Sequence, residues 1–238
     1  ATYPVLPATG NAQVRIFNPR DCHLPITIND KSTIMEPFGV WLDTGIKTNK
    51  TNVTIPFTAD FSYCSGQQNV SGFITAADGQ ATSCVLEPLS IYSYKDFINK
   101  TKTGKPAIRV LTFNTLSPTA VTEVKLSKTN NVFKTIRSQL SAAQVTSPVE
   151  FLPGKYDVEV NGRAIDEITI KHGGVYTLQA FITANSTNIS LSTITPQNSI
   201  HILWQLPQCM AYVVADILCL IPGYNFILTR APASMKSL

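Results

Sequence analysis

Asp216 is the residue with the most chemical meaning in this chain of 238 amino acids. It stands eighth in residues 209–228, which read C-M-A-Y-V-V-A-D-I-L-C-L-I-P-G-Y-N-F-I-L and hold no other charge. About 20 apolar residues are what a helix needs to cross ~30 Å of hydrocarbon at 1.5 Å per residue. A carboxylate near the midplane costs about 2.5–3.5 kcal/mol on insertion scales. It is therefore expected to face a polar cavity or partner, as the electrostatic mate of a cation or as a proton carrier. The alternatives are an acid kept neutral by desolvation, or a run that belongs to a soluble core. Pro222, Gly223 and Asn225 interrupt the second half of the run. Such breaks fit a helix that packs on other helices or lines a cavity, and a lone anchor has no need of them.

Other chemistry is sparse. His23, His172 and His201 are scattered and make no H-x-x-x-H zinc spacing. Thr103-Gly104-Lys105 lacks the upstream glycine of a phosphate loop, and His172-Gly173-Gly174 reads as a hairpin turn. No nucleophile elbow occurs, so the chain is read as a non-enzyme without a cofactor of its own. A net charge of +4 with no block of like charge gives no reason to expect nucleic acid.

Six N-x-S/T sequons, at Asn49, Asn52, Asn69, Asn99, Asn185 and Asn188, are candidate glycosylation sites. All lie before the apolar run, whereas Arg230 and Lys236 follow it. Both signals place residues 1–200 outside the cell and the C-terminus inside. Cys22, Cys64 and Cys84 precede the run, an odd number that allows one internal disulfide among three pairings. Cys64–Cys84, closing a moderate loop, is the expected pair. Charged residues are only 14% of the chain, and just Asp216, Arg230 and Lys236 fall in its last 38 residues. The shortage therefore belongs to the outer part, where sugars can supply the solubility that charge usually gives.

The elements that carry these residues are mostly strands. Short alternating runs (V-R-I-F, L-P-I-T-I, N-V-T-I-P-F, S-G-F-I-T) precede Lys95. After Pro106 come I-R-V-L-T-F, V-T-E-V-K-L, K-Y-D-V-E-V, D-E-I-T-I and V-Y-T-L-Q-A-F-I-T, parted by turns such as Asn161-Gly162. The nearest thing to a helical stripe before position 200, residues 133–145, is weak. Val14-Arg15-Ile16-Phe17-Asn18 and Val110-Leu111-Thr112-Phe113-Asn114 form a faint repeat at an offset of 96 residues. The expected fold is mainly β, two tandem immunoglobulin-like sandwich lobes followed by one transmembrane α-helix. The expected boundaries are an N-terminal extension 1–9, lobes 10–98 and 107–200, a linker 99–106, a span 201–228 and a cytoplasmic loop 229–238. Lys95, Lys100, Lys102, Lys105 and Arg109 make the linker basic, which reads as a solvated hinge.

Trp204-Gln205-Leu206-Pro207-Gln208 before the run and Ala231-Pro232-Ala233-Ser234-Met235-Lys236-Ser237 after it carry a resemblance. They are similar to the W-Q-x-P-Q and A-P-x-x-M-K-S flanks of the tenth helix of animal proton-coupled oligopeptide transporters. That family inserts a glycosylated, two-lobed extracellular domain before this helix. Ala215-Asp216-Ile217 stands where the family has G-E-V, whose Glu is implicated in holding the peptide's amino group. Cys209 stands in place of a Tyr, and Gly223-Tyr224-Asn225-Phe226 in place of G-L-E-F. The resemblance implies a piece of a multi-pass plasma-membrane transporter of di- and tripeptides with a proton as coupling ion. Its partners would be the lipid bilayer, short peptides and the remaining transmembrane helices. The other reading is a single-span adhesion or receptor protein with two immunoglobulin-like domains.

Overall fold

A computed structural model describes residues 7–49, 51–64, 69–87, 90–116, 121–127, 132–136, 141–184, 186–198 and 202–230. The chain divides into a β unit, residues 2–197, and a helical unit, residues 198–238. The first half of the β unit runs β1 (Asn11–Phe17), β2 (Leu24–Ile28), β3 (Lys31–Met35), β4 (Val40–Lys47), β5 (Val53–Ala59), β6 (Val70–Ala76), β7 (Ala81–Leu86) and β8 (Ile91–Lys95). The second half runs β9 (Ala107–Asn114), β10 (Val121–Leu126), β11 (Val132–Ile136), β12 (Ala143–Val145), β13 (Val149–Glu150), β14 (Gly154–Val160), β15 (Arg163–Ile170), β16 (Val175–Ile182) and β17 (Thr187–Thr195). The fold is thus mainly β, and a single long helix follows among the described residues.

The two halves are built alike. The first forms sheets in the orders β4-β1-β7-β8 and β3-β2-β5-β6; the second forms β12-β9-β16-β17 and β11-β10-β14-β15, with β13 also pairing β9. In each, the first strand runs parallel to the seventh or its counterpart, β1 with β7 and β9 with β16. The repeated Phe-Asn pair explains part of this likeness. Asn18 Oδ1 accepts the Arg20 amide at 3.2 Å and Asn114 Oδ1 accepts the Leu116 amide at 2.8 Å. The same Asx turn therefore ends the first strand of both halves. Asn161 and Gly162, both at positive φ, make the tight hairpin turn between β14 and β15 that the sequence predicts.

Each half packs its two sheets around an apolar core. Val14, Ile16, Ile26, Phe57 and Ile74 belong to the first core, and Val110, Val124, Val158, Ile168 and Leu178 to the second. A third core joins the halves, with Phe17, Val85 and Ile98 against Leu111, Phe113 and Phe181. The Phe38 and Phe181 rings stack across this seam at 4.9 Å. β9 and β16 are consequently buried along their whole length, and β1 from Ala12 onward. These strands are inner strands with both faces covered, whereas β5 and β15 alternate buried and exposed residues as outer strands do.

The seam also holds charge. The Asp96 carboxylate pairs with the guanidiniums of Arg15 and Arg109, all three buried. The Ser83 hydroxyl donates to Asp96 at 2.7 Å, and Arg109 Nε donates to Thr177 Oγ1 at 3.1 Å. Burial lowers the pKa of Arg15 to about 10, which leaves it charged at neutral pH, and burial lowers that of Arg109 as well. Glu87 adds a second tie across the seam, accepting the Ser141 hydroxyl at 2.6 Å and the Ala143 amide at 2.8 Å.

Two expectations need correction. The disulfide joins Cys22 to Cys64, with Cα atoms 5.7 Å apart, and not Cys64 to Cys84. Cys22 lies just before β2 and Cys64 just after β5, and those strands are neighbours in the outer sheet. Cys84 lies on the inner strand β7, buried, with its thiol 3.5 Å from the Ser93 hydroxyl. The segment joining the halves is also not a free hinge. Thr195 Oγ1 donates to the Ile98 carbonyl, Gly173 N donates to Gly104 O at 3.1 Å, and Thr103 Oγ1 donates to Glu150 at 2.8 Å. Arg109 is buried in the ion cluster and is not part of a solvated basic surface.

Candidate functional site

The C-terminal unit opens with a 3-10 turn, Ile202–Gln205, that leads into α1 (Leu206–Arg230). Pro207, second in the helix, sits where a missing N–H costs nothing. Arg230 in the last turn complements the helix dipole. At 1.5 Å per residue the 25 residues extend about 37 Å, more than a bilayer's hydrocarbon. With a mean hydropathy of 1.7 over its most apolar 18 residues, α1 is long and apolar enough to cross a membrane. No residue of it is buried, and nearly all its large apolar side chains are exposed.

Helical spacing decides which polar positions act together. At 100° per residue, Cys209, Tyr212, Leu220 and Gly223 lie on the same face as Asp216. Asn225 is nine residues on and points to the opposite face. Asp216 and Asn225, the two polar departures from an apolar span, therefore cannot line one cavity of a straight helix. Pro222 has no amide to donate to the Leu218 carbonyl, so the regular helical bond at that level is missing within the span. Near the end of the helix Thr229 Oγ1 donates to the Asn225 carbonyl at 2.8 Å, keeping that hydroxyl satisfied along the helix itself. A carboxylate, a phenol and a thiol at Asp216, Tyr212 and Cys209 form a stripe able to bind a cation or hold a proton.

The sequon asparagines sit on the β unit. Asn49, Asn52, Asn69 and Asn99 are exposed, and Asn188 on β17 is half-buried; Asn185 lies outside the described residues. Two features of the unit have no strong signal in the sequence. One is the Arg15–Asp96–Arg109 cluster, whose single clue is an arginine set within each of two otherwise apolar strands. The other is a cavity of about 470 Å³ at the seam, lined by Arg20, the Cys22–Cys64 disulfide, Phe38, Phe181 and Asn188 among others. Arg20 lies 4.1 Å over the Phe61 ring, and burial lowers its pKa to about 10. The cavity offers a cation and aromatic walls, but its two thiols are tied in the disulfide and give no nucleophile.

No family model matches the chain. It is 24% identical over 230 residues to Peptide transporter family 1 of Drosophila melanogaster, which covers 94% of this chain and 30% of that protein. It is 28% identical over 177 residues to Solute carrier family 15 member 2 of Danio rerio, covering 69% of this chain and 23% of that protein. Over 69 residues it is 38% identical to Peptide transporter family 1 of Caenorhabditis elegans, covering 29% of this chain and 8% of that protein. The chain spans less than a third of the length of each of these relatives. The chain is thus similar along nearly its whole length to a protein named as a peptide transporter, and it carries a helix long and apolar enough to cross a membrane.

Proposed function

We propose that the chain is the extracellular domain and the following substrate-pathway helix of a proton-coupled transporter of di- and tripeptides. The reading is carried by similarity to named peptide transporters across 94% of the chain, joined to a lone acid in the middle of an apolar helix. Transport needs two helical halves moving about a central site, so this helix works with the remaining transmembrane helices of the full chain. Asp216 faces the pathway and pairs with the ammonium of a bound peptide or takes up the coupled proton. The β unit stands outside a plasma membrane as two immunoglobulin-like lobes, 10–98 and 107–200, joined by 99–106. It carries glycans on Asn49, Asn52, Asn69, Asn99, Asn185 and Asn188. Residues 201–228 cross the bilayer, and 229–238 lie in the cytoplasm.

The test is uptake by the full-length protein carrying Asp216→Asn. A hydrogen bond to a charged group is worth about 1.5–3 kcal/mol, so uptake of peptides with a free amino terminus should fall roughly 10- to 100-fold. Peptides acetylated at the amino terminus lack the ammonium and should be affected less. Unchanged kinetics for free-amine peptides would remove Asp216 from the site.

A further inference from the structure

The two outer sheets of the β unit expose opposite kinds of surface. On β10, β14 and β15 the outward residues include Lys125, Lys155, Asp157, Glu159 and Glu167, with ion pairs Lys125–Glu159 at 3.4 Å and Lys155–Glu167 at 2.7 Å. That is an ordinary solvated face, and no sequon occurs between residues 100 and 184. The outward face of β3-β2-β5-β6 has no charged residue in its strands. It is built from hydroxyl, proline and large apolar side chains, among them Phe73 at 68% exposure and Ile34 at 64%. Cross-strand pairs set Pro25 beside Ile34 and Pro56 beside Phe73. A shallow groove of about 450 Å³ runs over Pro25, Thr27, Ser32, Ile34 and Thr58, with Asp60, just past the end of β5, at its edge. A face that mixes hydroxyls with exposed Phe73 and Ile34 suits a cover that is itself part polar and part apolar.

The sequons identify the cover. Side chains alternate along a strand, and the outward set of β5 is Thr54, Pro56 and Thr58, while that of β6 is Ser71, Phe73 and Thr75. Asn52 precedes β5 in phase with the first set, and Asn69 precedes β6 in phase with the second. Both asparagines are therefore in phase with this outer face, Asn69 at the end where its Oδ1 accepts the Phe61 amide at 3.1 Å. Their sequon hydroxyls, Thr54 and Ser71, are also on it. Because β5 and β6 are antiparallel, the two attachment points lie at opposite ends of the face. Phe73 lies four residues from Asn69 and, through pairing, four residues from the level of Asn52, roughly 13 Å from each at 3.3 Å per residue.

We propose that the N-linked glycans of Asn52 and Asn69 fold back over the outer face of β3-β2-β5-β6. Phe73 serves as the platform on which a sugar ring stacks, and the Thr and Ser hydroxyls bond the sugar's polar edge. A pyranose fits this surface because its axial C–H face is apolar and its rim is rich in hydroxyl groups. The inference rests on the extracellular, glycosylated reading given above and goes beyond it by naming the surface the sugars occupy.

The experiment uses the full chain made in a glycosylating host, with occupancy at each sequon read by mass spectrometry. Release of glycan by peptide N-glycosidase is then followed site by site under native conditions. Phe73→Ser should speed release at Asn52 and Asn69 roughly two- to tenfold, the range expected for loss of one ring-stacking contact. Phe73→Tyr should keep the slow rate, and Asn99 should be unaffected by either variant. Occupied sites whose release rates ignore Phe73→Ser would overturn the docking alone. Bare Asn52 and Asn69 would overturn the glycosylated reading of this face, and the docking with it.

Discussion

Replacing Asp96 by Asn tests whether the two halves share a dry seam. Among the described residues this carboxylate is the one counter-charge paired with Arg15 and Arg109, and all three side chains are at most 4% exposed. The amide cannot neutralise either guanidinium, and two like charges would then face one another in the interior. Removing one partner of a buried ion pair costs about 3–5 kcal/mol. At about 2–4 °C per kcal/mol for a unit of this size, Tm should fall by roughly 6–20 °C. The assay is thermal and urea unfolding of residues 1–200 followed by circular dichroism. Glu167→Gln in the exposed pair with Lys155 is the control and should cost less than about 1 kcal/mol. A combined Arg15→Met, Asp96→Leu, Arg109→Met variant should recover most of the loss, because apolar groups can replace a buried ion cluster at little cost. A loss for Asp96→Asn no larger than that of the Glu167 control would mean that water reaches the cluster. The dry seam between the halves would then be wrong.

Other outcomes follow from the same structure. Peptide mapping under non-reducing conditions should recover Cys22 joined to Cys64 and Cys84 free; the bond closes a separation of 42 residues, so Cys22→Ser should cost about 4 kcal/mol by loop entropy. Burial raises the Cys84 thiol from 9.0 to about 11, against the opposing hydrogen bond with Ser93. The folded unit holds this proton across that window while the unfolded chain has lost it, so stability should decline as pH rises from about 9 to 11. Denaturation curves of Cys84→Ala should lack this decline, which can reach about 3 kcal/mol.

Much of the architecture was legible in the chain. V-R-I-F, L-P-I-T-I and V-Y-T-L-Q-A-F-I-T alternate or persist in apolar character strongly enough to mark β1, β2 and β16. Among the strands that gave no warning, β4 (V-W-L-D-T-G-I-K) and β17 (T-N-I-S-L-S-T-I-T) are edge strands in which hydroxyl and charged residues dilute the pattern. Residues 133–145, the weak helical stripe, contain β11 and β12 instead, since pairing with β10 and β9 overrides local preference. For the candidate site, the length and lone charge of residues 209–228 were enough to locate α1 and Asp216. That Asn225 falls on the opposite face follows from a helix that runs unbroken through Pro222.

By itself, then, the sequence determined what period and composition control: a β unit of repeated halves, an apolar helix with one acid, and a surface poor in charge. Only the tertiary structure decided what the alternation leaves open, namely which face meets water. Arg15 and Arg109 occupy the face of β1 and β9 turned away from each half's own core, where a lone sandwich would expose them. Because that face is the seam, they are buried and need Asp96 between them. The cysteines follow the same logic, since strand order brings Cys22 to Cys64 across 42 residues and seals Cys84 inside. Contacts between residues far apart in the chain are set by the packing of sheets, and no local pattern records them.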